Sequence, residues 1–116
     1  MIDNIAYISL SGAYAAQKKL SVSANNIANM FSHDYKPQRV VQSSVENGGV
    51  QTTVQNIKPA TIQVNNGYGG LETLPNIDIT REIAQNRILA KTAYQANLAM
   101  IKSQDYMHDE LLDIMA

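Results

Sequence analysis

The stretch that decides the fold covers residues 79–114 and reads ITREIAQNRILAKTAYQANLAMIKSQDYMHDELLDI. Apolar, small and amide side chains recur along it at alternating steps of four and three residues. Such a heptad repeat keeps one seam of a helix turned toward a partner helix. The spacing therefore predicts one long helix that Asp78 can cap. The seam positions are Ile79, Ile83, Asn86, Ala90, Ala93, Asn97, Met100, Gln104, Met107, Leu111 and Ile114.

Three positions of this seam are polar, namely Asn86, Asn97 and Gln104. They are either tolerated surface positions of a rotated helix or buried residues that fix register at some cost in stability. The heptad itself fits a simple intramolecular helical hairpin, but two paired helices alone would leave both half exposed. The pattern therefore favours additional helix partners from other chains.

A second helix is predicted near the other end, over residues 3–30, with Asp3 or Asn4 as its N-cap. Asn29 is expected to end it in a left-handed conformation, and Pro37 prevents its continuation. Gly12 lies inside this helix, where glycine costs about 1 kcal/mol relative to Ala. The glycine is either a flexible point or, as we prefer, a place of close approach by another helix. The apolar stripe consists of Ala6, Leu10, Ala13, Ala16, Leu20, Ala24 and Ile27.

The segment between the two helices, residues 31–75, has a different composition, with many Val, Thr, Gln, Asn and Gly residues and all three prolines. Asn47-Gly48 separates two β-rich runs and is a strong hairpin signal, because both residues tolerate positive φ. The predicted elements are a strand at 39–45, a turn at 46–49, a returning strand at 50–57, a short third strand at 61–64 and a flexible connector at 65–70.

The chain is thus expected to be mainly α. Residues 1–30 and 76–116 form the helices of a core helical domain, as an extended coiled-coil-like pair, and residues 31–75 form a small β-hairpin region. At 1.5 Å per residue the two helices are about 40 and 55 Å long. A compact chain of this length has a radius of gyration of about 13 Å. The molecule should therefore be elongated, with helix surface left for other chains.

Composition excludes several functional classes. The formal net charge is −1, and basic residues are not concentrated as nucleic-acid binding requires. No apolar run reaches the roughly 20 residues that cross a bilayer. Lys18 is the first basic residue, so the sequence lacks the charged start of a cleavable secretory signal. There is no cysteine for a disulfide or a thiolate metal site.

Catalytic, cofactor and metal sites are not predicted. His33 and His108 are the two histidines, and both have acidic neighbours. Asp105, His108 and Asp109 have helical spacing that could hold a metal weakly. One histidine and two acids on an exposed face are more typical of a solvated surface. The sequence therefore indicates a protein that is not an enzyme.

Motifs at both ends resemble those of flagellar rod and hook proteins. The N-terminal signature is SANNIAN at residues 23–29, followed by Tyr35-Lys36, with Ser32-His33-Asp34 where the family has a Thr-Pro-Gly-like turn. The C-terminal matches resemble the start, the centre and the tail of the family's last helix. They are Asn76-Ile77-Asp78 with Glu82, AYQAN at residues 93–97 and LLDI at residues 111–114.

This resemblance implies a structural subunit of the bacterial flagellar basal-body rod that assembles helically through its terminal helices and transmits torque. It also implies export by the flagellar type III apparatus without a cleavable signal, and a location in the periplasmic rod. The short middle region resembles a proximal rod protein. Expected partners are further copies and other rod or hook proteins, with no cofactor. The alternatives are a hook or other axial paralogue, or a helical adaptor or binding module.

The stripes and motifs together predict the residues of helix and subunit interfaces. In the N-terminal helix these are Leu10, Ala13, Leu20, Asn26, Ile27 and Asn29. In the C-terminal helix they are Ile83, Ala90, Ala93, Tyr94, Asn97, Met100, Met107, Leu111 and Ile114.

Overall fold

A computed structural model describes residues 2–115 of the chain. The elements are α1 (Ile2–Ala28), β1 (Gln38–Ser44), β2 (Val50–Asn56), β3 (Thr61–Asn65), β4 (Leu71–Pro75), α2 (Ile79–Arg81), a π-helical segment (Glu82–Ile88) and α3 (Leu89–Met115). The molecule measures 77 × 25 × 16 Å and its radius of gyration is 19.7 Å, which confirms the elongated shape. Within the described residues, no helix has the length and apolar character needed to span a membrane.

The two long helices, α1 and α3, pack against each other, as the heptad and the N-terminal stripe predicted. Small residues line their contact: Ala13, Ala16 and Ala90 are each no more than 3% exposed. A Cβ atom on Gly12 would lie 2.7 Å from Oδ1 of Asn97. Small side chains let two helix backbones approach closely, so Gly12 is explained by packing and not by flexibility.

The C-terminal helical stretch begins as expected and then departs from the predicted heptad. Asp78 caps α2, and its side chain accepts hydrogen bonds from the backbone N–H groups of Thr80 and Arg81. The π-helical segment follows, and its wider turn changes which side chains face α1. Glu82 is therefore only 6% exposed, whereas Ile83 is 42% exposed. The prediction of an unbroken heptad is wrong across this segment.

A heptad seam is present after the π-helical segment, but part of it differs from the predicted one. Ala90 is buried, and the half-buried positions follow at steps of four and three: Tyr94, Asn97, Ile101 and Gln104. Ala93 and Met100, which the sequence placed on the seam, are exposed. Tyr94 and Ile101 take their places because the π-helical segment sets the rotation of α3 about its axis.

The first hairpin pairs β1 with β2 in antiparallel register, with Ser44 opposite Val50. Its turn adopts positive φ at Gly48 (96°) and Gly49 (97°) and not at Asn47. The backbone N–H of Val50 donates to Oγ of Ser11 over 3.1 Å, so the turn end of the hairpin lies against α1. Glycines at the turn let its backbone approach the helix.

A second hairpin replaces the predicted flexible connector. The third strand is present as β3, and it pairs with an unpredicted β4, with Asn65 opposite Leu71. Oδ1 of Asn66 accepts hydrogen bonds from the N–H groups of Tyr68 (2.9 Å) and Gly70 (3.3 Å), which closes a tight turn. Asparagine side chains commonly stabilise turns in this way. Most of this hairpin is exposed, with Tyr68 95% exposed at its tip.

Candidate functional site: a buried polar junction and an exposed apolar surface

Asn26 lies near the end of α1 and is only 1% exposed. Its Nδ2 donates to the carbonyl of Gln38 (2.6 Å) and to Oε1 of Glu82 (3.2 Å). Its Oδ1 accepts from the hydroxyl of Tyr35 (2.8 Å) and from the N–H of Gln38 (3.1 Å). An asparagine amide has two N–H donors and an acceptor oxygen with two lone pairs, so its hydrogen-bonding capacity is fully used. One side chain thus ties α1 to the following loop, to β1 and to the π-helical segment.

Glu82 extends this network on the side of the C-terminal helix. Its Oε2 accepts from Nδ2 of Asn86 over 3.2 Å, and its carbonyl accepts from Oγ of Ser23 over 3.3 Å. Ser23 is 1% exposed. We call Ser23, Asn26, Tyr35, Glu82 and Asn86 the polar junction. A buried polar group is costly unless it is hydrogen-bonded, and these bonds hold the hairpin and both helices in one arrangement.

The polar junction shifts the pKa of Tyr35. Burial raises the pKa of its hydroxyl above the ordinary tyrosine value, and the nearby carboxylate of Glu82 raises it further. Both causes disfavour the phenolate. The Tyr35 hydroxyl therefore stays protonated and remains a donor to Asn26.

Asn29 ends the helix in a way that the sequence did not predict. Positive φ among residues 2–115 is confined to glycines, so the expected left-handed conformation of Asn29 is wrong. Its Nδ2 instead donates to the carbonyl of Asn25 over 2.9 Å, and its Oδ1 accepts from Oγ of Ser32 over 3.3 Å. These bonds add to the backbone hydrogen bond from the N–H of Asn29 to the carbonyl of Asn25 over 3.1 Å, so the side chain of Asn29 reinforces the end of the helix.

The predicted interface residues fall into two groups. Those inside the chain are buried or half-buried: Ala13, Leu20, Asn26, Ile27, Asn29, Ala90, Tyr94 and Asn97. The others have exposed side chains: Leu10, Ile83, Ala93, Met100, Met107, Leu111 and Ile114. The first group contributes to packing within the chain, and the second lies on the surface of the single chain.

Exposed apolar side chains form continuous rows on both long helices. On α1, Tyr7, Leu10 and Tyr14 follow helical spacing and are between 40% and 67% exposed. On α3, every residue from 105 to 115 is exposed, and we call this range the C-terminal segment. Its large apolar members are Tyr106, Met107, Leu111, Leu112, Ile114 and Met115. Exposed apolar side chains in such rows make both helices candidate sites of association with another molecule.

Asn26, Tyr35 and Glu82 belong to the motifs at the two ends of the sequence, but the motifs do not indicate that these residues contact one another. A signal was present for Asn26, because a polar residue stands beside Ile27 of the apolar stripe and three residues after Ser23. Residues three apart share a helix face, so Ser23 and Asn26 could have been grouped. Their shared partner Glu82 lies 59 residues after Ser23 and 56 residues after Asn26, and no local pattern indicates that pairing.

Paired terminal helices with exposed apolar rows define a protein built for assembly, and comparison with known proteins agrees. The family model described as "Flagella basal body rod protein" matches residues 7–36, which include Asn26 and Tyr35. The flagellar basal-body rod protein FlgC of Yersinia enterocolitica is 32% identical over 118 residues, covering 86% of this chain and 87% of that protein. The chain therefore belongs to the flagellar basal-body rod protein family, as its terminal motifs predicted. Its role is that of a structural protein of the flagellum.

Proposed function

We propose that this chain is a rod subunit that assembles helically through its terminal helices and transmits torque along the flagellar axis. The observation that carries the proposal is the pair of exposed apolar rows on α1 and α3. Burial of one large apolar side chain contributes about 1.5–3 kcal/mol. Rows of several such residues on each subunit supply enough driving force for a stable array.

The packing inside the chain suits a part that carries mechanical load. Small buried residues such as Ala13 and Ala90 line the contact of α1 with α3, and Gly12 leaves no room for a Cβ beside Asn97. The polar junction fixes the first hairpin to both helices through directional hydrogen bonds. Close-packed interiors have low compressibility and transmit strain. A torque applied to one helix is therefore passed to the whole subunit.

Several further features follow from the same proposal. Its partners are other copies of the chain and other rod or hook proteins. It reaches the periplasmic rod through the flagellar type III export apparatus, and it has no enzymatic activity. The compact middle region, which is only two hairpins, favours a proximal position in the rod.

A helical adaptor that binds a single partner is the alternative function. Such a module needs one docking surface, whereas this chain exposes separate apolar rows on α1 and on α3. Two different surfaces on one subunit permit each copy to contact neighbours on two sides, which is the requirement for an open assembly. The presence of both rows therefore favours the rod subunit.

Leu111→Asp tests the proposal. Leu111 is 46% exposed in the single chain, so the substitution should leave the subunit folded. In an assembled rod it would place a charge in a buried apolar contact, which is costly. We expect loss of basal bodies and of swimming, with unchanged helix content by circular dichroism. Asp113→Asn, two residues away, is the control and should swim normally. Intact basal bodies with Leu111→Asp would contradict the proposal.

A further inference from the structure

The strand β3 leaves one row of backbone groups without a hydrogen-bond partner. The ladder between β3 and β4 is bounded by hydrogen-bonded pairs at Asn66 with Gly70 and at Asn76 with Ala60. Hydrogen-bonded and non-bonded pairs alternate in an antiparallel ladder, so the odd-numbered residues of β3 turn their N–H and C=O groups away from β4. Within residues 2–115 these groups form no hydrogen bond. The outward-facing residues are Thr61, Gln63 and Asn65.

The free edge of β3 also lacks the features that usually prevent strand pairing. Proteins protect sheet edges with charged residues, with proline or with cover from another element. β4 contains Glu72, and its outward-facing Pro75 has no N–H to donate. β1 contains Arg39, and the start of β2 is bound by Ser11 of α1. β3 reads TIQVN, with neither charge nor proline, and all its residues are exposed. It is therefore the strand of this chain best suited to pair with another.

The contacts that anchor the second hairpin involve β4 and the base of the hairpin. Nε2 of His33 lies 2.8 Å from Oε1 of Glu72, which joins β4 to the loop after α1. Nδ2 of Asn76 donates to the carbonyl of Pro59 over 2.9 Å, and Pro75 at the end of β4 is buried. The β3 side of the hairpin remains accessible. An isolated two-stranded hairpin is only marginally stable in water, so further strands on that side would stabilise it.

The sequence of β3 is complementary to itself in antiparallel register. With Gln63 of two copies opposite each other, the outward-facing residues form three hydrogen-bonded pairs, each with two N–H···O bonds. Ile62 of one copy then lies opposite Val64 of the other, in the non-bonded pairs where side chains are closest. Both side chains are 39% exposed in the single chain, and β-branched side chains pack well on a pleated surface. Like charges directly opposite each other are destabilising, and β3 has none.

We propose that two copies of the free chain associate through β3, which pairs with β3 of the second copy across a two-fold axis. The two hairpins then form one four-stranded antiparallel sheet. Both copies contribute the same residues, so the contact is isologous and closes after two copies. It does not extend a helical array, and it uses a surface separate from the apolar rows on α1 and α3. The inference therefore goes beyond the proposed function and describes subunits outside the rod. A contact between two five-residue strands is small, so the dimer is weak and transient.

Disulfide trapping in the purified full chain tests this register, since the natural sequence contains no cysteine. Gln63→Cys places two thiols at the centre of the pair, where the Cα atoms are about 5.5 Å apart, a separation that a disulfide can span. The controls are Thr61→Cys and Thr73→Cys, at other outward-facing positions of the same hairpin. In the dimer their equivalent residues are about 13 Å apart along the strands and about 14 Å apart across the sheet, respectively. With copper-phenanthroline as oxidant, we expect Gln63→Cys to form covalent dimers at least about tenfold faster than either control.

The outcomes separate this contact from the proposed function. Faster cross-linking of Gln63→Cys, with unchanged circular dichroism, would support the pairing of β3. Equal rates in the three variants, or no dimer from Gln63→Cys, would overturn it. Leu111→Asp added to Gln63→Cys should leave the cross-linking rate unchanged, and loss of the cross-link there would also overturn the pairing, because proximity would then depend on the helical array. Intact basal bodies with Leu111→Asp, together with faster cross-linking of Gln63→Cys, would remove the proposed function and leave the pairing of β3 standing.

Discussion

The two ends of the helix pair are built on different principles. At one end the polar junction buries Asn26 and Glu82 and satisfies the Asn26 side chain within the chain. At the other end every side chain of the C-terminal segment is exposed. The hairpins repeat the contrast, because the first packs on α1 and the second is largely unpartnered. The self-contained parts set the shape of the subunit, and the unpartnered parts depend on assembly for their burial.

The largest effect on the isolated subunit is expected at the polar junction. Asn26→Leu removes four hydrogen bonds and leaves the Tyr35 hydroxyl, both backbone groups of Gln38 and one Glu82 oxygen without this partner. Each unsatisfied buried group costs about 1–3 kcal/mol. We expect the free energy of unfolding to fall by at least about 3 kcal/mol in urea titrations. Asn25→Leu, the same change at the exposed neighbouring position, should alter it by less than about 0.5 kcal/mol.

Insertions in the two turns test whether the first hairpin is held by α1 and the second is not. Two glycines inserted after Asn47 should displace the turn from α1 and weaken the bond from Val50 to Ser11. The expected loss of stability is about 1–2 kcal/mol, since a hydrogen bond and apolar contact are lost together. The same insertion after Gly67, where an added Cβ would have no neighbour within 4 Å and the hydrogen bonds join the turn only to itself, should cost a few tenths of a kcal/mol. Equal melting temperatures for the two insertions would show that the first hairpin is not held by α1.

Substitution of Gly12, at the centre of the helix pair, should have a smaller effect on stability. Gly12→Ala gains about 1 kcal/mol in helix propensity, but its Cβ would displace the amide of Asn97. That amide also donates to the carbonyl of Ala93 over 2.8 Å. We expect the substitution to be destabilising by about 1 kcal/mol despite the propensity. In the Gly12→Ala, Asn97→Ala double variant the clash is absent, and stability should return to the original value or exceed it. A stabilised single variant would refute the close contact.

The smallest effect concerns Tyr35 and depends on pH. Tyr35→Phe removes one hydrogen bond to Asn26 and should lower stability by about 1 kcal/mol at neutral pH. Because the pKa of Tyr35 is raised in the folded chain, the native protein has this contribution in full below the ordinary tyrosine pKa of about 10. It is lost as pH rises through the folded-state pKa. Unfolding measured between neutral and alkaline pH should show this additional loss in the native chain and not in the variant.

Local sequence patterns predicted the helices, the first hairpin and the inner alanine face because periodicity and turn chemistry are local properties. Asp78 is an example, since its capping role needs only the next three residues. The π-helical segment was not predicted because its residues have ordinary helix propensity. The feature that distinguishes it is the packing of Glu82 against α1, which is not visible in the local sequence. The second hairpin was missed because its asparagines and glycines suit a linker as well as a turn. The polar junction joins residues far apart in sequence, so periodicity could not assemble it.

The docking of the first hairpin on α1 has a consequence for how the chain folds. Contacts of α1 with β1 and β2 lie within the first half of the sequence, whereas those with α3 join residues far apart, such as Gly12 and Asn97. Local contacts form sooner because less loop-closure entropy opposes them. A chain that emerges N-terminus first can therefore form α1 and the first hairpin before α3 is available. The alanine face of α1 is then open, and α3 of a neighbouring copy is as complementary to it as its own. Exchange of α3 between subunits is thus a built-in competitor of closure within one chain.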